Sequence, residues 1–342
     1  MLPIHVSPFC LLLLLLVCLS CAPTSRSEEQ WNQEKLQEAK AYAAEIGTFA
    51  LVIQEGGELV ATFGEVDSLS RIHSVRKAFL SALVFQHLDK ISLTATLKDL
   101  SIQDAPLPLT PLQESTQVIH LLKSTSGINH PAVSQVGSMQ KNRDQLLGDK
   151  ENIPGTKWAY NNWDYNALTT IFEQETGLTV EDAFRIGLAE PLGIEDFDVF
   201  YRSDSTMSIH PKAGFRLSAR AMAKFGQLFL QQGKWGEQQL IPVEWIEKIT
   251  TDYTPTINQS NERMGHGYLW WIPAEDFAGG LPKGSFVATG AWGQRILVIP
   301  TWNLVIAHKT MTEIPTKQRT KVTRSEFEEL VRIIAQARQS FN

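Results

Sequence analysis

Apolar positions change period along the chain, and the changes predict its elements. Over residues 30–46, Trp31, Leu36, Ala39, Ala43 and Ile46 recur near helical spacing, which predicts an amphipathic helix. Residues 49–54 and 58–63 read as strands, and Gly56-Gly57 between them signals a hairpin. Residues 74–88 are apolar on most sides of a helix (Ala78, Phe79, Leu80, Ala82, Leu83, Val84, Phe85), the pattern of a buried central helix. From about 93 to 250 the chain reads as helical segments and long loops. The clearest helix there is 218–231, with Ala221, Met222, Phe225, Leu228 and Phe229 on one side. Residues 267–272, 285–289, 295–299 and 304–308 then read as successive strands, with turn residues at Gly293-Gln294 and at 300–303. A helix over 325–337 closes the chain. This order predicts a sheet domain built from residues 30–92 and 251–342, with a mostly helical domain, 93–250, inserted in it.

The first 21 residues stand outside that plan. Residues 11–17 are an unbroken apolar run, shorter than the roughly 20 residues of a spanning helix. They have the length of a signal-peptide core, although His5 alone stands where lysine or arginine is usual. All three cysteines (Cys10, Cys18, Cys21) lie in this leader, so the remaining chain offers neither a disulfide framework nor a cysteine zinc site. Cys18 to Cys21 loosely resembles a lipoprotein box. Two outcomes are open: a membrane tether through lipidated Cys21, or plain cleavage. Both imply export to a bacterial cell envelope, with 22–29 as a polar tether. The net charge of -6 gives no basic stripe, so nucleic acid is excluded as a partner.

Three short stretches offer chemistry. Ser74 and Lys77 are three apart, so they share a helix face, and Ser74 falls in the first turn, where free N–H groups and the helix dipole favour negative charge. A desolvated lysine loses its proton readily and can then take one from a serine. Alone, the pair is also explained by packing. Tyr160-Asn161-Asn162 follows in a loop just before a helical stretch. A phenol beside a lysine, held as phenolate or as a hydrogen-bonded acid, suits proton transfer to a leaving group. The Asn162 amide has donors and acceptor enough to bond Lys77 and a substrate carbonyl, or else caps the helix. Thr289-Gly290-Ala291 ends a strand. Glycine there admits close backbone approach, and the Ala291 N–H with that of Ser74 would make an oxyanion hole.

In order and rough spacing, Ser74-Val-Arg-Lys77, Tyr160-Asn-Asn162 and Thr289-Gly290 resemble the three motifs of the serine beta-lactamase and penicillin-binding-protein superfamily. "LLKSTSGI" (121–128), "GFRLSARAMAKFGQLFLQQGKW" (214–235), "GHGYLWW" (265–271) and "GAWGQRILVIPTWNLVIAH" (290–308) resemble its class C, esterase and 6-aminohexanoate-dimer-hydrolase branch. The resemblance spans residues 49–337. It implies an α+β fold, an antiparallel sheet flanked by helices beside an all-α domain, with the site between them. It further implies Ser74 as acylated nucleophile, Lys77 as its base, Tyr160 as proton shuttle, Asn162 as substrate-orienting amide and Ala291 as second oxyanion donor. No metal or cofactor is implied, and the partner is a small ester or amide.

Ala288 departs from the family pattern, in which lysine or histidine commonly precedes Thr-Gly. That cation helps bind a substrate carboxylate, so its loss predicts better turnover of neutral esters or amides than of beta-lactams. Arg295 is either a compensating cation or a solvated strand residue. His73 reads as packing or capping, because adjacent helical residues point about 100° apart. His266 is a candidate for the rim. Trp158, Trp163, Trp270, Trp271 and Trp292 either wall an acyl pocket or pack the core, with Trp292 the best placed for the pocket. No Gly-x-Ser-x-Gly, His-Glu-x-x-His or phosphate-binding loop occurs. A non-catalytic peptide or peptidoglycan binder of the same fold remains an alternative, as do a true beta-lactamase and a D-amino-acid peptidase.

Overall fold

The computed structural model describes residues 31–135, 137–148, 151–257 and 263–338. The leader, Cys21 and the tether lie outside the described residues. The frame is one antiparallel sheet of eight strands: β1 (Ala50–Glu55), β2 (Glu58–Gly64), β3 (Thr254–Ile257), β4 (Arg263–Gly267), β5 (Trp270–Ile272), β6 (Phe286–Gly290), β7 (Gln294–Ile299) and β8 (Leu304–Lys309). Their spatial order is β2-β1-β8-β7-β6-β5-β4-β3. The first hairpin of the sheet therefore sits beside its last strand, with Ala50 opposite Lys309 and Glu55 opposite Leu304.

Both faces of this sheet are covered, so every residue of β7 and β8 is buried. Ile296, Val298, Val305 and Ala307 pack on one face with the helices Arg76–Gln86 and Ala219–Leu230. Leu297, Ile299, Leu304 and Ile306 pack on the other with the terminal helices Gln33–Glu45 and Arg324–Ala337. A strand buried on both sides loses polar alternation and reads as a continuous apolar run. Helix starts follow their caps. Ser218 accepts from the Ala221 N–H, and Thr323 forms a capping box with Glu326.

Two segments differ from the sequence expectation. Residues 267–272 are not one strand: the chain turns at Tyr268 and Leu269, both at positive φ, between β4 and β5. The middle of the chain also holds a long hairpin, Asp198–Asp204 with Ser208–Leu217, joined to Ser70–Arg71 in a three-stranded sheet. Its apolar alternation is confined to Ala213, Phe215 and Leu217, set between Lys212, Gly214 and Arg216, and the strand before that carries Ser208, His210 and Pro211, so the period was too short to announce a hairpin.

Candidate active site

The strand Ser70–Arg71 delivers the chain to the head of the central helix. The Ile72 N–H bonds Phe215 O at 3.1 Å, His73 turns the chain with φ 49°, and a single 3-10 turn, His73–Val75, runs into the helix Arg76–Gln86. Helix residues Ala78 to Phe85 are all buried, and Phe79 stacks on Phe225 with ring centroids 3.7 Å apart. This packing fixes the axis on which Ser74 and Lys77 ride.

Lys77 is 2% exposed. Its Nζ lies 2.8 Å from Ser74 Oγ and 2.7 Å from Tyr160 Oη. The amine also sits 4.5 Å from the ring centre of Tyr160 and 4.6 Å from that of Tyr165, whose hydroxyl pairs with Ser124 Oγ at 2.7 Å. Among the described residues no carboxylate pairs with it. Burial, reinforced by the charges of Arg76 and Lys212, therefore drives its pKa well below the usual lysine value. Burial pushes Tyr160 the other way, to about 12, against the opposing pulls of Ser74 and Arg76. Both displacements favour the hydrogen-bonded acid over the phenolate for Tyr160.

Asn162 needs a correction too. The helix cap is Asn161, which accepts from the Asp164 N–H at 3.0 Å. Asn162 opens the helix Asn162–Thr176, and its amide donates to Ser134 O at 2.8 Å rather than bonding Lys77. Its Oδ1 is buried without a partner, an acceptor left open. One turn on, Asn166 Oδ1 accepts from Arg76 at 3.2 Å. Sequence reasoning passed over Arg76, Asn166 and Tyr165. The signals were Arg76's place inside the first motif and the four-residue spacing of the two asparagines.

The third stretch meets the head of the Ser74 helix. A Cβ on Gly290 would stand 3.1 Å from Ser74 N and 2.6 Å from Ile72 O, so only glycine lets the strand end abut that turn. β5 and β6 pair only at Trp271 and Val287, so they diverge towards Thr289 and Gly290. A cavity of about 1340 Å³ opens there, lined by Trp271, Thr289, Gly290, Ala291, Trp292 and Arg295 among others, but not by Ser74, Lys77 or Tyr160. It borders the Ser74–Lys77–Tyr160 cluster through the end of β6. Ala291 is exposed, and half-buried Trp292, with φ 71°, lies 5.5 Å beneath the Arg319 guanidinium.

The remaining candidates divide plainly. Trp163 and Trp270 are core residues with no exposed surface. Trp158 and Trp271 pack round His266, which is wholly buried and 5.7 Å from the Tyr160 ring centre, so it is no rim residue. Arg295 is not solvated. At 9% exposure it lies over Phe327 and donates to Gly293 O and Val322 O. His73 reaches Thr312 at 3.1 Å, away from Ser74. Ala288 is buried in the core and offers no cation.

A serine at the head of a buried helix, a desolvated lysine one turn on and a tyrosine closing on both define the class of active-site serine hydrolases. The chain belongs to the beta-lactamase family, whose match spans residues 33–329. An uncharacterized protein of Alkalihalophilus pseudofirmus is 26% identical over 266 residues, which cover 70% of this chain and 72% of that one. Among solved structures, a protein of Bacillus anthracis described as a 6-aminohexanoate-dimer hydrolase superposes with TM-score 0.65 at 20% identity, covering 85% of this chain and 80% of its own. A penicillin-binding-protein homologue of Caulobacter crescentus gives 0.65 at 15% identity, over 89% and 97%. A family VIII carboxylesterase gives 0.62 at 17%, over 93% and 97%. These neighbours share the fold. Among the described residues no helix is long and apolar enough to cross a membrane.

Proposed function

We propose that this protein is an exported serine hydrolase that cleaves an ester or amide through an acyl-enzyme on Ser74. The observation that carries the reading is one desolvated amine, Lys77 Nζ, in contact with both Ser74 Oγ and Tyr160 Oη. Neutral Lys77 takes the hydroxyl proton as Ser74 Oγ attacks the carbonyl carbon. The N–H groups of Ser74 and Ala291 hold the resulting oxyanion. Lys77 returns a proton to Tyr160 as Tyr160 gives its own to the leaving oxygen or nitrogen, and the carbon–leaving-group bond breaks. Water then attacks the acyl-serine along the same path in reverse, and Ser74 regains its proton. Asn162 Oδ1, left open, accepts from a substrate amide. The family membership and the carboxylesterase and 6-aminohexanoate-dimer-hydrolase neighbours support ester and amide chemistry. Ala288 argues against efficient beta-lactam turnover, so a chromogenic cephalosporin should be a poorer substrate than a short-chain ester.

A fluorophosphonate probe read by intact mass tests the reading. Wild type should gain one adduct and Ser74→Ala none. An unlabelled wild type, or equal labelling of the two, overturns it. Export rests on the leader at residues 1–21. Mass spectrometry of the mature chain should find it removed, and an intact Met1 end on envelope-fraction protein would refute that part.

A further inference from the structure

The hairpin that the sequence did not announce brings an excess of positive charge to the site. Cross-strand partners share a face of a sheet, and on this one Asp198 lies opposite Arg216, Phe200 opposite Gly214 and Arg202 opposite Lys212. Arg71 joins them from the neighbouring strand, opposite Arg216. Phe200 lies flat over Gly214, where a Cβ would come within 2.5 Å of its ring. Around that ring stand Arg216 at 4.7 Å, Arg71 at 5.6 Å and Arg202 at 5.8 Å from its centre.

Two carboxylates serve these cations, and both are committed. Asp198 pairs with Arg216, while Glu313 takes Arg216 at 3.1 Å and Arg71 at 3.5 Å. Arg202 and Lys212 face each other with no acid between them, and among the described residues neither has an ion pair. Like charges directly opposite on a sheet destabilise it. The protein's net charge is -6, so this local surplus runs against its overall balance. Lys212 is partly buried, and its ammonium makes no hydrogen bond within the described chain. The strand that carries Lys212 flanks the entry to the Ser74 turn, where the Ile72 N–H bonds Phe215 O at 3.1 Å, and His210 on the same strand bonds Thr170 of the Asn162 helix at 3.0 Å. Burial, together with Arg76, Arg202 and Arg71, holds Lys212 itself down to about 7, so an anion bound beside it would restore its charge.

We propose that Lys212, backed by Arg202, is the anion subsite of this active site, and that the preferred substrate is an ester or amide carrying a second, acidic group. This deepens the hydrolase reading and rests on it. Ala288 leaves the strand side of the site without a cation, and the hairpin provides one from another quarter.

Matched p-nitrophenyl esters test the proposal: the hemiglutarate, which is anionic, against the methyl glutarate, which is neutral. Wild type should favour the anionic ester in kcat/KM by about tenfold, the scale of one charge-assisted contact. Lys212→Met should lose that preference through KM, and Lys212→Arg should restore it. A wild type that turns over both esters without the preference, or a Lys212→Met that loses both esters in equal proportion, overturns the subsite. Glutarate binding by calorimetry to Ser74→Ala, with and without Lys212→Met, separates the two claims. If glutarate binds only when Lys212 is present while wild type hydrolyses neither ester, the hydrolase reading fails and the anion site stands. If both esters turn over at equal rates and glutarate does not bind, the anion site fails and the hydrolase stands.

Discussion

Lys77 Nζ and Tyr160 Oη meet at 2.7 Å although 83 residues of chain separate them. One group is a base only without its proton, and the other is a donor only with it. Their displacements run in opposite directions, Lys77 well below its usual value and Tyr160 up to about 12, so both conditions hold over a wide range of pH. Activity should therefore rise with pH through the depressed pKa of Lys77, stay flat, and fall only as Tyr160 ionises near 12. A kcat/KM profile checks this. A rise delayed to the ordinary lysine range near 10.4 would contradict it. Lys77→Met should lower kcat/KM by about 10²- to 10⁴-fold with an unchanged circular dichroism spectrum.

Gly290→Ala tests the junction between β6 and the catalytic turn. The added carbon would meet Ile72 O at 2.6 Å, a backbone atom that cannot swing aside. We expect a loss of about 1–3 kcal/mol in stability from overpacking. We also expect a drop of about 100-fold in kcat/KM, because Ser74 moves against the oxyanion donors. Denaturant titration and steady-state kinetics measure the two effects separately. A fully active variant would show that the close approach is not needed for catalysis.

Asp104 anchors the helix that carries Asn162. Its Oδ2 accepts from His130 at 2.8 Å and Trp163 at 2.7 Å, and its Oδ1 accepts from Ser208 at 2.8 Å and the Ala105 N–H at 2.9 Å. Burial works to raise its pKa, but the donations of His130, Trp163 and Ser208 outweigh burial and hold it low. A carboxyl depressed in the folded state stabilises above its unfolded pKa, and that contribution disappears as pH falls through the folded value. Asp104→Ala should therefore cost about 3 kcal/mol in urea at neutral pH and progressively less in acid. An equal cost at every pH would remove the charge from the explanation.

Most of the frame was legible because long apolar runs and glycine turns mark strands and buried helices whatever packs against them. The clustering of Ser74, Lys77 and Tyr160 was legible because Ser74 and Lys77 share a helix turn and Tyr160-Asn-Asn162 is a compact motif. The Asp198–Leu217 hairpin was not, because its alternation is limited to Ala213, Phe215 and Leu217, and the polar residues and Pro211 before them hide the strand. Arg295 misled for a related reason: its aliphatic stem and guanidinium lie over Phe327, and periodicity cannot distinguish such burial from solvation. The division of work between Asn161 and Asn162 depended on which asparagine adopts extended backbone before the helix, which adjacent identical residues do not reveal.

The pairing of β1 with β8 also governs when the enzyme can exist during synthesis. Ala50 leaves the ribosome early and pairs with Gly64 in the first hairpin, but its other edge stays open until Lys309 emerges. Gly290 likewise reaches the Ser74 turn only from the far end of the chain. A partly made polypeptide that stops short of residue 290 thus lacks both a finished sheet and the strand end that abuts the Ser74 turn.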